Sequence, residues 1–294
     1  MHYAGTAVIE AHGPNDVRER IAAGNYVTTL AFSEKGSRSQ FWAPLSSARA
    51  GPDGSVSLDA EKSWVTSAGQ ADGYVWSSRP ISTDGPSTIW LVPSEAPGLT
   101  VGEPFDGLGL RGNYSSPITA KGVPVTADSM LGVDGGGLDL ILTTVLPYFQ
   151  VMSAAFCIGT MDAATAKAGR HAATTRLEHL DQSLADNLVV RSNVGRMRVK
   201  TDSARALLAD TLTALEMGRQ DAVLGVLEVK AAAGEAALEV TDLAMRVCGG
   251  SAFRRDFGVD RHFRDSRAAT VMAPTTDALY DFIGRLGCGM QLFG

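Results

Sequence analysis

Residues 247–279 read VCGGSAFRRDFGVDRHFRDSRAATVMAPTTDAL. A long apolar-periodic segment precedes this stretch and ends on Gly249-Gly250. Paired glycines at a helix end permit left-handed torsions, or let another group approach the backbone closely. Five arginines follow within a short span: Arg254, Arg255, Arg261, Arg264 and Arg267. Pro274-Thr275-Thr276-Asp277 then gives a helix-start signal ahead of an apolar run. Taken locally, the stretch is helix, glycine cap, charged loop and N-capped helix, parts common to any helical bundle.

The chain on its N-terminal side divides in two. From Leu138 the hydrophobic period is helical. Helices are expected at about 138–174, with Pro147 kinking or dividing it, and at about 178–217, 221–248 and 276–286. The third is Ala-rich from Ala231 to Ala237, which permits close helix packing. Before Gly135-Gly136-Gly137 the pattern is that of strands. Val27 to Phe32, Ser55 to Leu58, Lys62 to Ala68, Tyr74 to Ser78 and Ser87 to Val92 are short runs with turn signals between them, Asp53-Gly54 among these. Such spacing fits a β-barrel or sandwich. Residues from about 5 to 22 read as one further helix, with Val8, Ile9, Val17 and Ile21 apolar and Gly24 ending it.

The chain has 294 residues, a formal charge of −6 and 45% hydrophobic residues, as expected of a globular protein with a large core or more than one. The mild acidity argues against nucleic acid as a partner. No apolar run approaches the ~18 residues that span a membrane, and the N-terminus lacks a signal-peptide pattern. Cys157, Cys248 and Cys288 are widely spaced and odd in number. They read as buried thiols in a reducing cytoplasm, with no disulfide framework and no metal site.

In their order, Gly249-Gly250, Arg264-Asp265 and the Thr275-Thr276 turn resemble the C-terminal end of the acyl-CoA dehydrogenase flavoprotein family. Ser33-Glu34-Lys35-Gly36-Ser37-Arg38-Ser39 resembles that family's Thr-Glu-Pro-Gly-x-Gly-Ser loop, with Lys35 and Arg38 replacing Pro and Gly. Lys62-Ser63-Trp64-Val65-Thr66-Ser67-Ala68 resembles its Lys-x-Trp-Ile-Thr-Asn-Ala signature. Leu108 to Asn113, Val123-Pro124-Val125, Leu131-Gly132 and Leu184-Ala185-Asp186 extend the likeness over about residues 10 to 290.

The resemblance implies an α+β fold, with a β-barrel or sandwich middle domain followed by a C-terminal four-helix bundle. On this reading most of the family's N-terminal helical domain is expected to be missing from the chain. The implied divisions are a remnant at 1–24, the middle domain at 25–133 and the bundle at 134–294. FAD is the implied cofactor. Phe32, Ser33 and Ser39 belong to the loop around its pyrophosphate, Trp64 packs by the isoalloxazine and Thr66 reaches its N5 edge. Gly249 and Gly250 lie against the FAD of a neighbouring subunit, Arg176 reaches the pyrophosphate of another, and Thr275 and Asp277 contact the flavin region. Two departures stand out. Where the family carries its catalytic Glu, this chain has Ala273. An alternative Glu on the first bundle helix falls at Phe149-Gln150 counted from Gly159, or at Ile141-Leu142 counted from Gly137, and neither pair supplies one. Asp277 and Glu34 are the remaining candidates for a base.

Three functions follow from the resemblance. The first is an FAD-dependent oxidoreductase acting on the CH–CH group of an acyl thioester. The others are a flavin-dependent monooxygenase on the same fold and a non-catalytic subunit of a heteromeric dehydrogenase. A homodimer or homotetramer is implied by the shared glycine segment, with a second dehydrogenase chain as a further partner. Neither nucleic acid nor membrane is expected.

Overall fold

The structure is a computed structural model and describes residues 1–38, 40–52 and 54–293. Contacts divide the chain into two compact units. The first takes in 1–107 and 111–149, the second 108–110 and 150–294.

The first unit begins with two helices, α1 (His2–His12) and α2 (Asn15–Ala22). One helix was expected here. The break falls at Gly13-Pro14, because Pro14 cannot continue a helix from the preceding residue and instead caps the next one. Seven strands follow: β1 (Thr28–Ala31), β2 (Ser47–Ala50), β3 (Val56–Val65), β4 (Gly73–Ser78), β5 (Thr88–Pro93), β6 (Leu99–Val101) and β7 (Ser116–Val125). They form two sheets, ordered β1-β4-β5 and β2-β3-β7-β6. The two runs expected at 55–58 and 62–68 are one ten-residue strand, β3. Asp53 of the expected hairpin lies outside the described residues, but Ala50 pairs with Val56 and Gly51 donates to the Ser55 carbonyl across the turn.

A common core joins Ala31, Tyr74, Trp76 and Trp90 of the first sheet to Leu58, Ile118 and Val123 of the second. This makes the unit a β-sandwich. The other face of the first sheet is covered by α1. A Cβ on Gly5 would come within 3.0 Å of Thr28 Cγ2, so the helix sits close on β1.

The helical run from 137 starts as α3 (Gly137–Leu140), widens into a π turn at Ile141–Val145 and continues as α4 (Leu146–Thr174). Pro147 has no N–H to return to the preceding turn, and the wider turn accommodates it. The division between the units falls inside α4, at Phe149-Gln150. By length and composition, Gly137–Thr174 suffices to cross a membrane, which corrects the expectation that no such run exists. Counting unbroken apolar residues missed it, because Thr143, Thr144, Pro147 and Gln150 interrupt the run. Its inward stripe in the second unit is nonetheless a bundle core: Ala154, Cys157, Met161, Ala164 and Ala168 are buried with Met197 and Val229.

The second unit adds a two-stranded hairpin, β8 (Arg176–Leu177) and β9 (Gln182–Ser183), then α5 (Leu188–Glu216) and α6 (Ala222–Cys248). The helix expected from 178 starts ten residues later, where Asn187 accepts the Val189 and Val190 amides as its N-cap. Short helices α7 (Val259–Ser266) and α8 (Ala268–Val271) lead to α9 (Thr276–Gly287). With α4, α5 and α6, α9 completes a four-helix bundle.

Candidate functional site

In the first unit the expected cofactor residues gather at one end of β1 and β3. Phe32 and Ser33 leave β1, and the Ser63 amide donates to the Ser33 carbonyl at 2.9 Å. Glu34 and Lys62 bridge the same two segments. Phe32 is buried, whereas Ser33 and Thr66 are half-buried. Ser39 lies outside the described residues. Strict alternation along β3 would send Trp64 inward, since Val56, Leu58 and Lys62 all face the core. A register shift between Lys62 and Val65 reverses this: Val65 is buried and Trp64 is 58% exposed. Trp64 adopts φ +56, a left-handed torsion that is strained in a bulky residue. Such strain costs about 1–3 kcal/mol and clusters where a ligand is held.

A buried ion pair fixes this end of the sandwich. Lys62 Nζ lies 2.7 Å from Glu34 Oε1, with both side chains essentially inaccessible. The ammonium also donates to the Ser77 carbonyl at 2.7 Å and to Ser77 Oγ at 3.1 Å. Glu34 accepts from the Ser46 amide and hydroxyl and from the Leu45 amide. Burial by itself would raise the Glu34 carboxyl; the Lys62 charge, the Ser46 hydroxyl and the Leu45 amide outweigh it and hold it below its ordinary range. Complete burial pulls the Lys62 ammonium down to about 8, with the Glu34 charge opposing the fall. A carboxylate so enclosed cannot turn to a substrate, which removes Glu34 as a base.

In the second unit, Gly249 caps α6 with φ +54 and ψ −136, torsions that only glycine adopts readily. At Gly250 an added Cβ would meet nothing within 4 Å, so the backbone there is open to an approaching group. Arg176 is engaged by its own hairpin, donating to the Asp181 carbonyl and carboxylate. Thr275 is the N-cap of α9 and accepts from the Ala278 amide at 3.3 Å. Asp277 is exposed in the first turn of that helix. Ala273 is half-buried and its side chain has no atom that accepts a proton. Gln150, at the other position considered for a base, is fully buried, and neither amide atom has a hydrogen-bond partner among the described residues.

The turn carrying Ala273 is held from below by Lys230, which sequence reasoning passed over. Its ammonium is buried without a carboxylate partner and donates to the carbonyls of Ala269, Met272 and Pro274 at 3.2, 3.1 and 2.7 Å. Burial lowers this ammonium to about 8 and raises the nearby Cys157 thiol to about 12. The signal was available: Lys230 interrupts the apolar stripe Val226, Ala233, Ala237 on α6. The same α7 that follows the arginine-rich loop fixes Leu108–Leu110, through the Arg264 guanidinium to the Leu108 carbonyl and the Leu110 amide to Asp265.

The family model for the acyl-CoA dehydrogenase middle domain matches residues 29–123, and that for the C-terminal domain matches 135–286. The chain belongs to the acyl-CoA dehydrogenase family. It is 28% identical over 286 residues to the very long-chain specific acyl-CoA dehydrogenase of rat mitochondria, covering 94% of this chain and 43% of that protein. It is 27% identical over 277 residues to the L-prolyl-[peptidyl-carrier protein] dehydrogenase of Pseudomonas fluorescens, covering 94% and 72%. Butyryl-CoA dehydrogenase of Megasphaera elsdenii shares the fold, with a TM-score of 0.90 at 20% identity over 98% of this chain and 77% of that one. The chain thus spans less than half the length of the very long-chain relatives it matches.

Glu34→Gln should leave the Lys62 charge unpaired and cost about 3–5 kcal/mol in urea unfolding at pH 7. Replacing both partners, Glu34→Leu with Lys62→Met, should cost clearly less. Because the folded Glu34 value lies below the ordinary 4.5, its stabilisation is complete above that pH and fades as the pH falls through the folded value. The variant should therefore lose its deficit relative to wild type in acid. Lys230→Met, close in shape, strips three carbonyls of their donor and should cost about 2–3 kcal/mol, read in the same way.

Proposed function

We propose that this chain binds FAD and serves in the oxidation of the CH–CH group of an acyl thioester. The observation that carries the reading is the set of strained or open positions at the family's flavin motifs. Trp64 is exposed in a left-handed torsion beside Ser33 and Thr66, and Gly250 has free space where a side chain would stand. These residues fit a large, planar, phosphate-bearing group. Trp64 would offer its ring and Ser33 and Thr66 their hydroxyls, and in the second unit Gly249-Gly250 would offer bare backbone to the FAD of a neighbouring subunit. When bound, FAD would supply the two-electron acceptor.

This chain's own residues bind and orient; at position 273 they do not take a proton. Glu34 is locked in its ion pair, and the resemblance gives Asp277 a contact with FAD and no role as base. The proton acceptor therefore comes from outside these positions, and we place the chain in a homodimer or homotetramer, or beside a second dehydrogenase chain. All three cysteines are free, Cys157 and Cys248 buried as expected and Cys288 exposed against expectation, and free thiols suit a cytoplasmic setting.

The experiment is an absorbance spectrum of the purified protein, before and after anaerobic addition of acyl thioesters. Bleaching of a flavin band is the expected result for a homo-oligomer, and a bound flavin that no thioester bleaches would overturn the proposed reaction for this chain acting by itself. Gly250→Ala isolates the cofactor assignment. An added methyl meets nothing in the chain, so unfolding should be unchanged while FAD retention falls about tenfold or more. Gly249→Ala is not equivalent, because its torsion is strained in any other residue.

A further inference from the structure

Trp64 does not stand alone. Its ring stacks on Phe105, with centroids 4.1 Å apart and planes inclined by 27°. Forty-one residues separate the two in sequence, and neighbouring rungs of one ladder bring them together. Val65 pairs with Ser116 across β3 and β7, and the Phe105 amide donates to the Ser115 carbonyl at 2.9 Å. Trp64 follows a bulge on one side of this ladder, and Phe105 hangs from the other.

The arrangement is uneconomical as a piece of fold. The indole is mostly exposed, so it contributes little to the core, and its backbone is strained. An exposed Trp without a neighbour would also sample several rotamers. Phe105, half-buried, removes that freedom by occupying one indole face. With Phe105 stacked on it the indole is still 58% exposed, which leaves ring surface open to a ligand. A rigid aromatic with one covered and one open face is a surface for a flat, electron-poor ring.

We infer that Phe105 is a positioning residue: it holds the Trp64 indole in a fixed plane so that the free face receives the planar heteroaromatic ring of the ligand. The inference rests on the FAD reading for the identity of that ring. The holding of Trp64 by Phe105 is a property of this chain with or without ligand. Preorganisation of this kind acts on affinity by removing the ordering cost from the binding step.

The test uses Phe105→Ala, Phe105→Tyr and Trp64→Phe, with two readouts. In the ligand-free protein, acrylamide quenching is measured and the Trp64 contribution is taken as the difference from Trp64→Phe. The other large buried indoles, Trp76 and Trp90, are inaccessible and contribute little. Trp64 should be quenched more readily in Phe105→Ala and as in wild type in Phe105→Tyr. In FAD titrations, Phe105→Ala should weaken binding about tenfold and Phe105→Tyr should restore it. Adding Phe105→Ala to Trp64→Ala should weaken binding no further, a coupling that general loosening of the loop would not produce. Unchanged quenching and unchanged FAD affinity in Phe105→Ala would overturn the inference. So would equal loss in the alanine and tyrosine variants. If wild type binds no FAD, the FAD reading fails, and the quenching comparison alone decides whether Phe105 holds Trp64.

Discussion

The Lys62–Glu34 pair is the constraint on which the sandwich end depends. A single ammonium gathers four segments: Glu34 after β1, Ser46 before β2, its own strand β3, and Ser77 on β4. Those segments come from both sheets, so the pair sets their alignment as well as joining them. Trp76 lies beneath the same ammonium, its ring centroid 5.0 Å from Nζ. Burying two charges yields little net stability, but leaving one of them unpaired is costly. The pair therefore penalises every other register of β1 against β3. Ser33, Trp64 and Thr66, the residues proposed for the cofactor, are one to four residues from its two members.

The second unit uses the same device without an acid. Lys230 binds three backbone carbonyls around the Ala273-Pro274 turn, and so fixes the entry to α9 from within the bundle. Thr275 caps the helix that begins there. A turn held so firmly is suited to present side chains in fixed positions, yet the residue it presents at 273 is an alanine.

Much of this was readable in one dimension. The change of period at Gly135–Gly137 separated strands from helices, Gly249-Gly250 marked the end of α6, and Thr275 was legible as a cap because the type and position of one residue suffice for each. Where the reading failed, the cause was either a local signal or a neighbour distant in sequence. The helix expected over 5–22 broke at Gly13-Pro14, a local signal that was passed over. Lys62 and Lys230 were different: both sit at inward positions of an apolar pattern, and only their partners, 28 residues back and 39 to 44 residues on, turn an apparent misfit into a satisfied group.

Trp64 shows the boundary most clearly. Residue types and their order alone pointed to the family and to a β domain followed by a helical bundle. They could not say which way the indole points. Alternation along β3 would bury it, and only the bulge against β7 turns it outward onto Phe105. The bulge is a property of how two strands pair, because an extra residue in one strand has meaning only against the spacing of its partner. Local pattern decided which segments form, and cross-strand pairing decided which of their side chains a ligand can reach.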